Sequence, residues 1–176
     1  MFNYKKNING IFALTLIILA LSFSRLIPHP WNFSPMIAAG IFAGFYFRQF
    51  YLGSFIIILS MFLGDLFLGF HNTMFFTYLA LAIVVLIGIV IKNLKFSKIL
   101  YSTIASSIVF FLITNFGAWL TIDMYTKDFN GLMQSYIMAI PFFKNTIIST
   151  IIFSYSTFIL DSFFKNKLKI LNKSFF

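Results

Sequence analysis

Cysteine is absent from this chain, so no disulfide framework, thiolate nucleophile or thiolate-held metal or iron–sulfur site is available to it. Acidic residues are nearly as scarce, four in 176 positions, and charged residues of both signs reach only 10%. A soluble domain carries about 25% charged and about 45–50% apolar residues. Here 60% of residues are apolar and the mean hydropathy is +0.94, which predicts a single-domain integral membrane protein.

Two catalytic signatures are missing as well. A glycine-rich phosphate loop ending in Lys-Ser or Lys-Thr does not occur, so the chain cannot hydrolyse ATP by itself. Nothing resembles Gly-x-Ser-x-Gly, and nucleophilic catalysis would need a hydroxyl beside a base held by a third group. Both histidines fall at loop edges. The spacing of His29, Asp65 and His71 follows no metal motif. The expectation is therefore no enzyme, no metal and no cofactor.

What is present is basic and aromatic. The net charge of +9 would suit nucleic acid if the lysines formed one soluble face. They occur instead in short clusters between apolar runs, the pattern of cytoplasmic membrane loops. No nucleic-acid partner is expected. Most of the 27 phenylalanines read as lipid-facing filler.

A bilayer core of about 30 Å takes about 20 helical residues. Six runs approach that length: 11–27, 34–47, 50–70, 73–91, 99–122 and 146–164. The predicted fold class is all-α, an integral membrane bundle of six transmembrane helices. Between the last two spans, Gly131–Phe143 is apolar but short, and Pro141 removes a backbone donor. A separate re-entrant or interfacial helix is expected there. Ser22-Phe23-Ser24 would suit signal-peptide cleavage, but the preceding apolar run is long for that and Arg25 follows at once.

Lysine placement predicts orientation. Lys5, Lys6, Arg48, Lys92, Lys95, Lys98, Lys165, Lys167, Lys169 and Lys173 fall on one side of a six-span bundle, and Arg25, Lys127 and Lys144 on the other. That bias predicts cytoplasmic N and C termini in a bacterial inner membrane.

The rare polar groups then gather at the outer half: Arg25, His29, Asn32, Asp65, His71, Asn72, Asn115, Trp119, Asp123 and Asn145. Asp65 sits about five residues, or about 7–8 Å, inside the third span. A carboxylate there costs roughly 2.5–3.5 kcal/mol on insertion scales and needs a partner, for which Arg25 is the nearest candidate. The pair is either a structural bridge or part of a ligand cavity. Asn115, Trp119 and Asp123 recur every fourth residue and so share a helix face. Trp119 serves either as a ligand contact or as an interfacial anchor. Asp161 and Lys165 form an i,i+4 pair near the cytoplasmic boundary. In the second span, Ala39/Ala43 and Gly40/Gly44 are overlapping small-xxx-small pairs that permit close helix contact, within the bundle or with a partner protein.

Three motifs carry a resemblance. They are Pro28-His29-Pro30-Trp31-Asn32-Phe33-Ser34-Pro35, Asp65-Leu66-Phe67-Leu68-Gly69-Phe70, and Ala139-Ile140-Pro141-Phe142-Phe143-Lys144-Asn145-Thr146. Together they are similar to a family of bacterial six-helix transport proteins that resembles the S components of energy-coupling factor (ECF) vitamin transporters. The resemblance implies capture of a vitamin-like small molecule from the outer side. It also implies a transmembrane coupling subunit and an ATPase pair as partners. Many S components carry an Ala-xxx-Ala pair on the first helix for docking, whereas this chain has Ala13-xxx-Ile17 and Ala20-xxx-Ser24. The ligand contacts expected are Arg25, His29, Trp31, Asn32, Asp65, His71, Asn115, Trp119 and Asn145. The competing expectation is a membrane scaffold whose polar groups only lock helices together.

Overall fold

The computed structural model describes residues 15–173, with side chains through Phe163. Among them the chain is all-helical, with six helices and no strands. They are α1 (Thr15–Ser24), α2 (Met36–Phe47), α3 (Phe50–Leu68), α4 (Met74–Val90), α5 (Phe96–Thr121) and α6 (Phe129–Lys173). By length and composition α3, α5 and α6 could each cross a membrane, while α1, α2 and α4 are shorter apolar helices.

Helix α2 is the hub. It packs against α3, α4, α5 and α6, and its residues Met36, Ile37 and Ile41 join Ile57, Met61, Leu81, Val84 and Val85 in one apolar core. Small residues decide this arrangement. A Cβ placed on Gly44 would stand 2.1 Å from the Val85 carbonyl oxygen, and one on Gly88 would stand 2.1 Å from that of Ile41. The backbones of α2 and α4 therefore touch, a crossing open only to glycine. Gly40 meets the Val84 side chain on the same face. Of the two settings expected for Gly40 and Gly44, within the bundle or against a partner protein, both glycines take the first. Ala43 is buried too, and Ala39 is half-buried against the core.

In α5 and α6 the buried positions are mostly small and polar, as suits helices packed where lipid is the outer solvent. The fully enclosed side chains of α5 and α6 include Thr103, Ser106, Ser107, Thr150 and Ser154. Phe23, Phe55, Phe67 and Phe75 face outward, in keeping with the reading of phenylalanine as filler.

Charged loop residues close helix ends. Arg48 adopts a left-handed backbone (φ 55) after α2, and its guanidinium donates to the Ile89 and Lys92 carbonyls at the end of α4. It also lies 4.7 Å from the centroid of the Phe45 ring. Lys127 Nζ donates to the Trp119 and Ile122 carbonyls at the end of α5. Both place a cation where a helix presents unpaired carbonyls. Asp128 caps α6, accepting from the Gly131 amide at 2.8 Å and from the Thr126 hydroxyl.

One expectation is corrected here. Gly131–Phe143 is not a separate helix, because α6 runs unbroken through Pro141. Proline in a helix forfeits one amide bond to the carbonyl four residues back, a loss that packing on both sides can offset. Phe111 of α5 supplies that packing. Its ring lies 5.6 Å from Tyr136, before the proline, and 4.4 Å from Phe143, after it. The Asp161–Lys165 pair reaches beyond the described side chains. Asp161 itself accepts a hydrogen bond from Tyr46 of α2 at 2.6 Å. Lys5 and Lys6 lie outside the described residues, as do the side chains of Lys165, Lys167, Lys169 and Lys173.

Candidate functional site

Helix α1 ends in a turn, with the Arg25 amide on the Ser22 carbonyl and the Leu26 amide on that of Phe23. From this end the Arg25 guanidinium reaches α3. Nη1 donates to the Met61 carbonyl at 2.7 Å, and Nη2 lies 2.7 Å from Asp65 Oδ1. The Tyr78 hydroxyl of α4 donates to Asp65 Oδ2 at 2.6 Å. The carboxylate is 1% exposed and the arginine side chain 14%, so the pair is almost wholly withdrawn from solvent. Gly64 makes the approach possible: a Cβ there would stand 2.6 Å from Nη1. One cation thus joins α1, α3 and α4.

The proline-rich segment that follows folds over toward α6. Its turn closes with the Phe33 amide on the Pro30 carbonyl, and Asn32 takes a left-handed backbone (φ 60), which asparagine tolerates better than most residues. Two side chains of α6 hold it. Asn145 Nδ2 donates to the Trp31 carbonyl at 3.0 Å, and Ser149 lies at 3.5 Å from that of Asn32. The Phe33 ring meets Phe153 edge-on at 6.0 Å.

Beneath this strap lies a partly open cavity of about 720 Å³. Arg25, His29, Trp31, Asn32, His71 and Asn115 line it, six of the nine expected ligand contacts. The other three stand elsewhere. Asp65 is behind the wall, orienting Arg25. Asn145 tethers the strap from α6. Trp119 turns its indole Nε1–H to the Thr126 carbonyl, 2.8 Å away in the α5–α6 connection. The face shared by Asn115, Trp119 and Asp123 also dissolves, because α5 ends at Thr121 and Asp123 is exposed beyond it.

Sequence reasoning missed a second set of lining groups: Thr73, Thr77, Thr114 and the apolar Met61, Phe110 and Phe142. Thr114 lies on the same face of α5 as the buried Thr103 and Ser107, and that small polar stripe is the signal that could have found it. Most of the polar members are already committed to backbone. Thr77 donates to the Thr73 carbonyl, Thr114 to that of Phe110, Thr146 to that of Phe142 and Asn115 Nδ2 to that of Phe111. At the mouth, His29 Nδ1 pairs with the Ile27 carbonyl at 2.5 Å and His71 Nδ1 with the Thr73 hydroxyl at 2.8 Å. Trp31 is 79% exposed. Among the described residues no three His, Cys, Asp or Glu side chains group as metal ligands.

The profile of a family of unknown function, DUF6580, matches residues 5–171. The chain belongs to the DUF6580 family. No curated protein matches it, and no solved structure does. For this DUF6580 member the cavity and its residues are therefore the basis for a functional reading.

Proposed function

We propose that this DUF6580 protein is a substrate-capturing membrane subunit of an importer, similar in role to the S component of an ECF transporter. A cavity of about 720 Å³ carries this reading, because it brings Arg25, His29, Asn32, His71 and Asn115 to one place under a proline-stiffened strap. Small-molecule sites usually enclose about 300–1,000 Å³, mostly apolar with a few converging polar groups. In this reading all six helices span a bacterial inner membrane with both termini in the cytoplasm, as the lysine bias suggests. The cavity then opens outward. A vitamin-like molecule enters beneath Trp31 and is enclosed by the Pro28–Pro35 strap and the first part of α6. The chain has no ATPase of its own, so inward release is the work of a transmembrane coupling subunit and an ATPase pair.

Native mass spectrometry of the full chain, extracted in lipid from its own host, tests this. One small molecule should travel with each chain and be lost when the strap is freed. Repeated preparations that carry only lipid would refute capture. A second reading, a scaffold, draws on the Met61–Arg25–Asp65–Tyr78 linkage, which would pin three helices whether or not a ligand ever binds.

A further inference from the structure

We infer that the cavity takes a small carboxylic acid that also carries hydroxyl or amide N–H donors. The inference rests on the capture reading and deepens it to a ligand class. Two sets of lining groups carry it.

Arg25 is the donor. An arginine has five N–H bonds in a planar fork. Two of Arg25's nitrogens meet partners, Nη1 at the Met61 carbonyl and Nη2 at Asp65. The remaining N–H bonds have no acceptor among the described residues, and the side chain lines the cavity. A guanidinium held by one carboxylate still has N–H donors to spare, and carboxylates are the partners that suit it. The lining contains no acid of its own. Its ionisable members are Arg25, His29 and His71, while Asp65 lies behind the wall at 1% exposure. An ammonium-headed ligand would be desolvated there with no anion to meet it.

Other lining groups can accept. Thr77, Thr114 and Thr146 give their hydroxyl hydrogens to carbonyls four residues back, so each hydroxyl has only lone pairs left to offer, and Asn115, which gives one amide hydrogen in the same way, keeps its Oδ1 as an acceptor. Spare acceptors in a lining favour a ligand that brings hydrogens over one whose donors are capped.

Matched naphthyl probes separate the two halves of the inference. The full chain in lipid nanodiscs is titrated with 6-hydroxy-2-naphthylacetate, its 6-methoxy analogue and 6-hydroxy-2-naphthylacetamide, with empty nanodiscs subtracted. The hydroxy acid should bind at least tenfold tighter than either of the others. Thr77→Val with Thr114→Val should bring the hydroxy and methoxy acids closer together, within about threefold of each other, since two of the four acceptors are gone. Arg25→Gln with Asp65→Asn should bring acid and amide together in the same way, with the helical signal confirming the fold. Equal affinities for acid and amide, or for hydroxy and methoxy compounds, in the unmodified protein would overturn the inference while leaving capture intact. Absence of saturable binding of all three would also overturn it. Capture itself then stands or falls on the co-extracted molecule.

Discussion

Neutralising one partner of the Arg25–Asp65 pair at a time gives the most direct measure of what the site costs the fold. Two unit charges about 4 Å apart at an effective dielectric of about 20 attract by about 4 kcal/mol. Here the closest N–O distance is 2.7 Å and Asp65 is 1% exposed, so solvent offers little relief if one charge is removed. Arg25→Gln leaves a buried carboxylate with the Tyr78 hydroxyl as its remaining hydrogen-bond donor among the described residues, and should destabilise by about 3–5 kcal/mol. Asp65→Asn keeps the shape and the Tyr78 contact but strands the guanidinium on the Met61 carbonyl, at a cost of about 3 kcal/mol. The double amide variant leaves no charge at the site and should return to within about 1–2 kcal/mol of the parent. Unfolding titrations in mixed micelles, read by helical circular dichroism, give all three values and hence the coupling energy. Single variants within about 1 kcal/mol of the parent, or effects that simply add, would show that the pair is not the buried ionic contact described.

Other consequences are open to test. Gly88→Ala puts a methyl 2.1 Å from the Ile41 carbonyl, a backbone atom that cannot swing aside, and should abolish the monodisperse folded peak in detergent chromatography. Gly40→Ala meets only a Val84 methyl and should lose about 1–3 kcal/mol at most. Asn145→Leu removes the donor to the Trp31 carbonyl and should raise amide exchange across residues 28–35, leaving α3 and α4 as protected as before. Asp128, outside the apolar spans, is held below the usual carboxylate range by the Gly131 amide first and the Thr126 hydroxyl second. A lowered folded-state value means its capping stabilises α6 above the ordinary carboxylate pKa of about 3.9 and is lost as pH falls through the lower folded value. The melting-temperature difference between the parent and Asp128→Ala should therefore shrink towards zero under strong acid.

Composition alone determined that this chain belongs in lipid, because too few charges and too many apolar side chains leave no way to cover a soluble surface. Run lengths placed α3, α4 and α5 to within a few residues, since loop polarity ends an apolar helix sharply. The burial of Asp65 and its choice of Arg25 were also readable, because a lone carboxylate at that depth must find one of very few cations. Pairing the small residues of α2 with α4 rather than an outside partner was not readable. Small-xxx-small spacing states that a close approach is possible and says nothing of which helix makes it.

The site shows the same division. Six lining groups stood out as polar exceptions in an apolar sequence, but tertiary structure alone sent Asp65 behind the wall and Asn145 to the strap. Continuity through Pro141 was likewise a tertiary outcome, decided by Phe111 packing on both sides of a residue whose local preference is to break the helix. Thr77 and Thr114 were missed for a simpler reason. A single threonine in an apolar run does not announce whether its face looks into a cavity or out to lipid.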